Sequence, residues 1–156
     1  EALAPYRKGS QSSSISGQPK KIVSTNGCFD ILHVGHLRYL QQAKALGDIL
    51  VIALNSDQSV RGMSKGSERP IIPQAERAEL LAALNCVDFV AIFDEPTPVE
   101  LLKKIKPNIH VKGGQYNREN LPETSVLDAL GAEIQFLPMV EGRSTSSIVD
   151  RIKQFG

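Results

Sequence analysis

Two histidines three residues apart, His33 and His36, stand at the start of what reads as a helix, with Gly35 between them. Residues at that spacing lie on the same side of a helix, and a glycine there lets a ligand approach the backbone closely. Imidazoles placed beside the positive end of a helix would hold an anion. A bare HxxH pair is more often structural than functional, so its position has to decide. Here it follows directly on an apolar run ending near Thr25 and a turn, Asn26-Gly27-Cys28-Phe29-Asp30. The same turn lacks the GxGxxG of a dinucleotide fingerprint and the GxxxxGK-Ser/Thr of a phosphate loop, which removes a nicotinamide-dependent oxidoreductase. Cys28 has no base paired with it in sequence and reads as a small lining residue.

Three further stretches carry groups suited to an anionic ligand. Asn55 to Pro73 holds Arg61, Lys65 and Arg69, cations long enough to reach a polyphosphate, although a solvated loop would show the same charges. Lys112-Gly113-Gly114-Gln115-Tyr116 offers two glycines for close backbone approach and a ring to lie against a base or sugar. Ser144-Thr145-Ser146 opens the last helix, where hydroxyls and N–H groups form an anion site or serve simply as a cap. Arg77, near the start of another helix, reads equally well as a surface charge beside Glu76. His110 lies within a strand and reads as a packed histidine.

The elements that must position these groups alternate regularly. The hydrophobic pattern predicts strands at Ile22–Thr25, Ile49–Leu54, Val87–Phe93, Ile109–Val111 and Ile134–Leu137. Between and after them it predicts helices at His36–Leu46, Ala75–Leu84, Pro98–Ile105 with Thr97 as cap, Ser125–Leu130 closed by Gly131, and Ser146–Gln154. A βαβ series of this kind builds a doubly wound, five-stranded parallel sheet with helices on both faces. Ligands then bind beyond the carboxyl ends of the strands, where strand order reverses. The four polar stretches follow predicted strands, which is why they belong to one candidate site.

Composition bounds the rest. The chain has 156 residues, 41% hydrophobic and 22% charged, enough for one self-sufficient core and too apolar for wholesale disorder. Residues 1–20 read as an extension with a Ser/Gly/Gln-rich linker, and residues 21–156 as the folded domain. Eighteen basic residues against seventeen acidic leave +1, and aromatics are 5% with no Trp, so no nucleic-acid partner is expected. No apolar run has membrane-span length, so no membrane partner is expected either. Two distant cysteines suit a reducing cytoplasm, and no metal-ligand cluster is visible. The first residue is Glu1, which fits a processed chain or one excised from a longer polypeptide.

The stretch NGCFDILHVGH closely resembles the HxGH signature of the small nucleotidyltransferases, a superfamily with a Rossmann-like fold. NSDQSVRGMSKGSERP, ERAELLAAL, VDFVAIFDEPTP, KPNIHVKGGQY and EGRSTSSIV together resemble the adenylyltransferase domain of bacterial ADP-heptose synthases, from Lys21 to about Ile152. That resemblance implies transfer of AMP from ATP to a heptose 1-phosphate, for lipopolysaccharide or other surface glycans. It implies catalytic roles for His33, His36 and Lys65. It places Gly27, Cys28, Phe29, Asp30, Gly35, Arg77, Gly113, Tyr116, Ser144, Thr145 and Ser146 around the nucleotide and its phosphates. Arg61, Arg69, Lys112 and Gln115 follow as weaker substrate contacts. Mg²⁺ would be held mainly by nucleotide phosphates, and the protein would work in the cytoplasm, as a homodimer or together with a heptose kinase. Two positions depart from relatives: Gln115 stands where an aspartate is usual, and Met139 where cytidylyltransferases carry an arginine five residues before the serine. The alternatives are a glycerol-3-phosphate-type cytidylyltransferase, a flavin mononucleotide adenylyltransferase, and a nucleotide-binding regulatory module without turnover.

Overall fold

The computed structural model describes residues 17–63 and 68–156. Residues 1–16 of the expected extension, and Lys65, lie outside the described residues. Strands Ile22–Gly27 (β1), Ile49–Asn55 (β2), Phe89–Phe93 (β3), Ile109–Gly113 (β4) and Glu133–Leu137 (β5) form one all-parallel sheet in the order β3-β2-β1-β4-β5. The helices are Val34–Lys44 (α1), Asp57–Arg61 (α2), Gln74–Ala83 (α3), Val99–Ile105 (α4), Thr124–Ala129 (α5) and Thr145–Lys153 (α6). The expected Rossmann-like, doubly wound α/β fold is the fold observed.

Strand alternation sorts the core into two faces. Val23, Leu50, Ile52, Leu54, Val90, Ile109 and Val111 pack with Leu40 and Ala43 of α1 and Ala78 and Leu81 of α3. On the opposite face, Val51, Ala53, Ala91 and Phe93 pack with Leu101 and Ile105 of α4. Leu102 of α4 then meets Leu121, Leu127 of α5 and Ala132. The sheet is thus covered on both sides, as its nearly continuous apolar strands require.

Strand order reverses between β1 and β4, and the pairing of these two ends early. Their register stops at Thr25↔Val111, whereas β1 stays paired with β2 to Gly27 and β4 with β5 to Gly113. The sheet therefore forks beyond Thr25. Tyr39 of α1 sits at the fork, its hydroxyl donating to the Val111 carbonyl (3.1 Å) and receiving the Thr25 hydroxyl (2.7 Å). Burial pushes the Tyr39 hydroxyl up to about 12, against the opposing effect of Thr25, so it remains a donor throughout the ordinary pH range.

Several boundaries differ from expectation. The stretch after β2 expected to be loop contains α2, capped by Ser56, whose Oγ accepts from the Ser59 N–H (3.1 Å). Six helices rather than five are thus present among the described residues. Helix α1 begins at Val34, two residues early, because His33 caps it. Pro98 rather than Thr97 is the N-cap of α4, and no side chain bonds there. β3 begins at Phe89: the Val87 N–H closes a turn on the Leu84 carbonyl (3.1 Å), and Asp88 meets Leu50 through both its N–H (3.1 Å) and its carboxylate (2.7 Å).

Candidate active site

A cleft of about 660 Å³ opens over the fork, a volume ordinary for a small-molecule site. The loop from β1 to α1 forms its floor, and that loop is strained. Phe29 and Ile31 both have left-handed backbone, φ 48° and 51°, which non-glycine residues rarely adopt. Remote groups hold it there. The buried Asp30 carboxylate accepts the N–H groups of Ile71 (2.8 Å) and Ile72 (2.9 Å), with Arg69 3.6 Å away. The Thr145 hydroxyl donates to the Asp30 carbonyl, and Arg77 donates to the Cys28 carbonyl (2.6 Å).

At the end of this loop the two histidines cap α1 reciprocally. Gly35 N–H donates to His33 Nδ1 (3.1 Å), and His33 N–H donates to His36 Nδ1 (3.3 Å). The rings stack with centroids 3.8 Å apart, and Phe29 lies against His36 at 5.3 Å. Each Nδ1 is an acceptor, so each neutral ring carries its proton on Nε2. Burial, and then the charge of Arg143, hold His33 below the usual histidine range, which keeps this acceptor unprotonated at neutral pH. Both rings line the cleft. The cap therefore fixes two N–H donors of known tautomer at the positive end of an eleven-residue helix, an arrangement suited to phosphate oxygens.

A second helix start faces the same cleft. Ser144 caps α6, its Oγ accepting from Ser147 N–H (3.0 Å), and the Thr145 hydroxyl is bonded to Asp30. Two of the three hydroxyls expected to meet phosphate thus hold the fold. The first-turn N–H groups of Thr145 and Ser146, which no helical carbonyl can satisfy, and the exposed Ser146 side chain remain for a ligand.

Residues 24–149 match the family described as cytidylyltransferase-like. The chain belongs to the cytidylyltransferase-like family. A bifunctional protein HldE from Geobacter metallireducens is 54% identical over 133 residues, 85% of this chain and 27% of that protein. One from a Nitratiruptor species is 52% identical over 134 residues, 86% of this chain and 28% of that protein. The chain spans about a quarter of the length of these curated relatives. The lipopolysaccharide core biosynthesis protein from Thermoplasma volcanium has a crystal structure that superposes with a TM-score of 0.66 at 28% identity, over 80% of this chain and 100% of that one. A pantothenate synthetase from Thermus thermophilus, 14% identical with a TM-score of 0.54 over 77% of this chain and 56% of its own, shares the fold alone.

Within this cytidylyltransferase-like domain the expected residues divide into three groups. Gly27, Cys28, Phe29, Asp30, Gly35, Arg69, Lys112, Gly113, Tyr116 and Ser144 to Ser146 line the cleft with the histidines. Neither Cys28 nor Cys86 is in a disulfide. Arg61 and Gln115 are exposed and do not line the cleft; the Gln115 carbonyl accepts from Asn120 (3.1 Å). Arg77 departs most from its sequence reading. Only 1% exposed, it is neither a surface charge nor part of the cleft lining. Its guanidinium donates to the carbonyls of Ile72 (2.8 Å), Cys28 (2.6 Å) and Asn55 (2.9 Å), and to the Asp57 carboxylate (2.8 Å).

The sequence reading missed other lining residues. Arg143 stands one residue before the α6 cap and acts on His33; its place beside Ser144 was the available signal. Asn26, Thr97 and Glu123 also line the cleft, on the α4–α5 side; Asn26 and Thr97 stand within the stretches NGCFDILHVGH and VDFVAIFDEPTP, and Glu123 within none of the quoted stretches. His110 is fully buried as expected, bonded to Ser24 through Nδ1 (2.7 Å), and burial, then Lys112, push it down to about 3.

No group of three or more His, Cys, Asp or Glu side chains able to hold a metal occurs among the described residues. Of the carboxylates that line the cleft, Asp30 is already bonded to two backbone amides, and Glu123 stands apart from it on the α4–α5 side. That donor set fits a cation carried on phosphate oxygens.

Proposed function

We propose that this domain transfers AMP from ATP to D-glycero-D-manno-heptose 1-phosphate in the cytoplasm, giving ADP-heptose and pyrophosphate. A phosphate oxygen of the sugar phosphate attacks the α-phosphorus of ATP, and the bond from that phosphorus to the pyrophosphate oxygen breaks. Such a reaction asks for in-line positioning and for donors aimed at oxygens that gain charge. The observation that carries the reading is the reciprocal His33–His36 cap, which presents two Nε2–H donors beside the start of α6. In this reading His33 and His36 meet the α- and β-phosphates, and the first-turn amides of α6 with Ser146 receive the β and γ oxygens. Lys65 aligns the attacking phosphate, assisted by Arg69, which lines the cleft. When bound, Mg²⁺ neutralises triphosphate charge, held by nucleotide oxygens and water. The likeness to proteins described as bifunctional supports a second activity working with this one, and the likeness to a lipopolysaccharide core biosynthesis protein supports a sugar phosphate as co-substrate.

The description cytidylyltransferase-like favours a second reading, with CTP and a polyol phosphate in the same cleft. Pyrophosphate release separates the two, with Mg²⁺ present and ATP, CTP and GTP each crossed against heptose 1-phosphate and glycerol 3-phosphate. Release with ATP and the heptose phosphate alone is expected. Release with CTP and glycerol phosphate would keep the chemistry and replace the substrates, and nucleotide binding without release in any pairing would make this a regulatory module.

A further inference from the structure

Glu123 has a carboxylate oxygen that the fold leaves unused. The residue is 3% exposed and lines the cleft, yet its Oε2 is buried without a hydrogen-bond partner. A buried carboxylate oxygen is costly to leave unpaired, so one in a native cleft calls for an explanation. Glu123 occupies the N-cap position of α5 but makes no capping bond, so helix formation does not account for it. Burial pushes its carboxyl up, while the Lys112 ammonium acts in the opposite direction.

Its surroundings indicate what it meets. Thr25 and Val111 face α1, so their strand neighbours Asn26 and Lys112 point to the opposite side of the sheet. Lys112 reaches Asn26 Oδ1 at 3.2 Å and lies 4.7 Å from the Tyr116 ring centre. Thr97 enters the same side just before α4, and Glu123 just before α5. The cleft is therefore divided by the fork. One half, at α1 and α6, holds the histidines and helix amides that suit phosphates. The other gathers an amide, a hydroxyl, an ammonium and a carboxylate with one unpartnered oxygen. That mixture of donors and acceptors matches a polyhydroxylated group, whose apolar face the Tyr116 ring can meet.

We infer that Glu123 is a specificity-determining residue that accepts a hydroxyl hydrogen bond from the polyol part of the phosphorylated co-substrate, on the α4–α5 side of the fork. This rests on the transferase reading above. Loss of a hydrogen bond to a charged acceptor corresponds to about 10- to 150-fold in affinity. Glu123→Ala and the isosteric Glu123→Gln, each checked for an intact fold by thermal melting, are compared with wild type in pyrophosphate release and calorimetry. The expected result is a KM for heptose 1-phosphate raised at least tenfold in Glu123→Ala, with the KM and Kd for ATP within twofold. A smaller rise is expected in Glu123→Gln. A raised KM for ATP with unchanged sugar-phosphate KM would overturn the inference and assign Glu123 to the nucleotide. Should the wild type turn over none of these substrates, calorimetry with heptose 1-phosphate and glycerol 3-phosphate still reads the site. Binding weakened tenfold in Glu123→Ala would support the acceptor role while the transfer reading fails. Equal binding by both proteins, or none by the wild type, would overturn it.

Discussion

Arg77 offers the sharpest test of how this site is built. Its guanidinium joins the ends of three segments: the strained loop at Cys28, the end of β2 at Asn55, and the chain entering α3 at Ile72. Arg77→Met keeps much of the volume and apolar stem but removes every donor. Three carbonyls lose a charged partner, and Asp57, 22% exposed, loses its ion pair. Hydrogen bonds to charged groups contribute about 1.5–3 kcal/mol each, yet they are not additive and Asp57 can be rehydrated. The sum therefore falls near the roughly 3–5 kcal/mol seen when one partner of a buried pair is removed. At about 3 °C per kcal/mol for a domain of this size, melting should fall by about 10–15 °C. Urea titration should show a lower midpoint, and turnover should fall because Cys28 and Asn55 both line the cleft. Arg77→Lys should recover only part of the loss, since an ammonium cannot serve all four acceptors in one plane. An unchanged melting point with a tenfold rise in the KM for ATP would refute this reasoning and make Arg77 a phosphate contact.

Other expectations are more local. His36→Ala should cost about 10² to 10³ in turnover, the usual loss for one positioned donor, with the fold retained by circular dichroism; a loss under tenfold would count against the phosphate role. In Gly35→Ala the new Cβ would lie 2.9 Å from the His33 ring and 3.2 Å from Arg143 Cβ. Turnover should fall at least tenfold with little change in melting, and full activity would mean the His33 position is not critical. Turnover should decline as pH falls below about 6.5, because protonating Nδ1 of His33 removes the acceptor for Gly35 N–H. Since its pKa is depressed, the half-loss should come below that value, and a midpoint above 6.5 would contradict it. Folded His110 titrates far below its unfolded value, so the unfolded chain binds more protons in between. Its contribution to stability is complete above pH 6.5 and declines by up to about 1.4 kcal/mol per pH unit as pH falls towards 3. His110→Gln should flatten the pH dependence of the urea midpoint in that window, and an unchanged slope would exclude His110 as its source.

The fold was legible because β2 and its neighbours are nearly continuous apolar runs, which leave few alternatives to a sheet covered on both faces. The cleft's place followed from the same pattern, since ligand groups of such sheets gather beyond the strand ends. Less legible was anything settled by contacts distant in sequence. Arg77 reads as a helix charge because two of the three carbonyls it joins are 22 and 49 residues away. His33 does not read as a cap, because Ser, Thr, Asp and Asn are the usual cap residues, so the pattern places the start of α1 two residues late. Ser144 offered the opposite ambiguity, and the structure gives its hydroxyl to the cap. Glu123 gave no sequence signal, since its interest lies in a bond it does not make.

The left-handed residues Phe29 and Ile31 limit how far this site can be transplanted. Copying Gly27 to His36 onto another strand–helix turn would move the histidines without the clamps that shape their loop. Those clamps are the Ile71–Ile72 amides, the Arg77 guanidinium and the Thr145 hydroxyl, drawn from three other parts of the chain. A graft of the motif alone should relax to ordinary backbone and carry the two rings out of register. The unit that can be inherited or engineered is consequently the loop together with its three distant anchors.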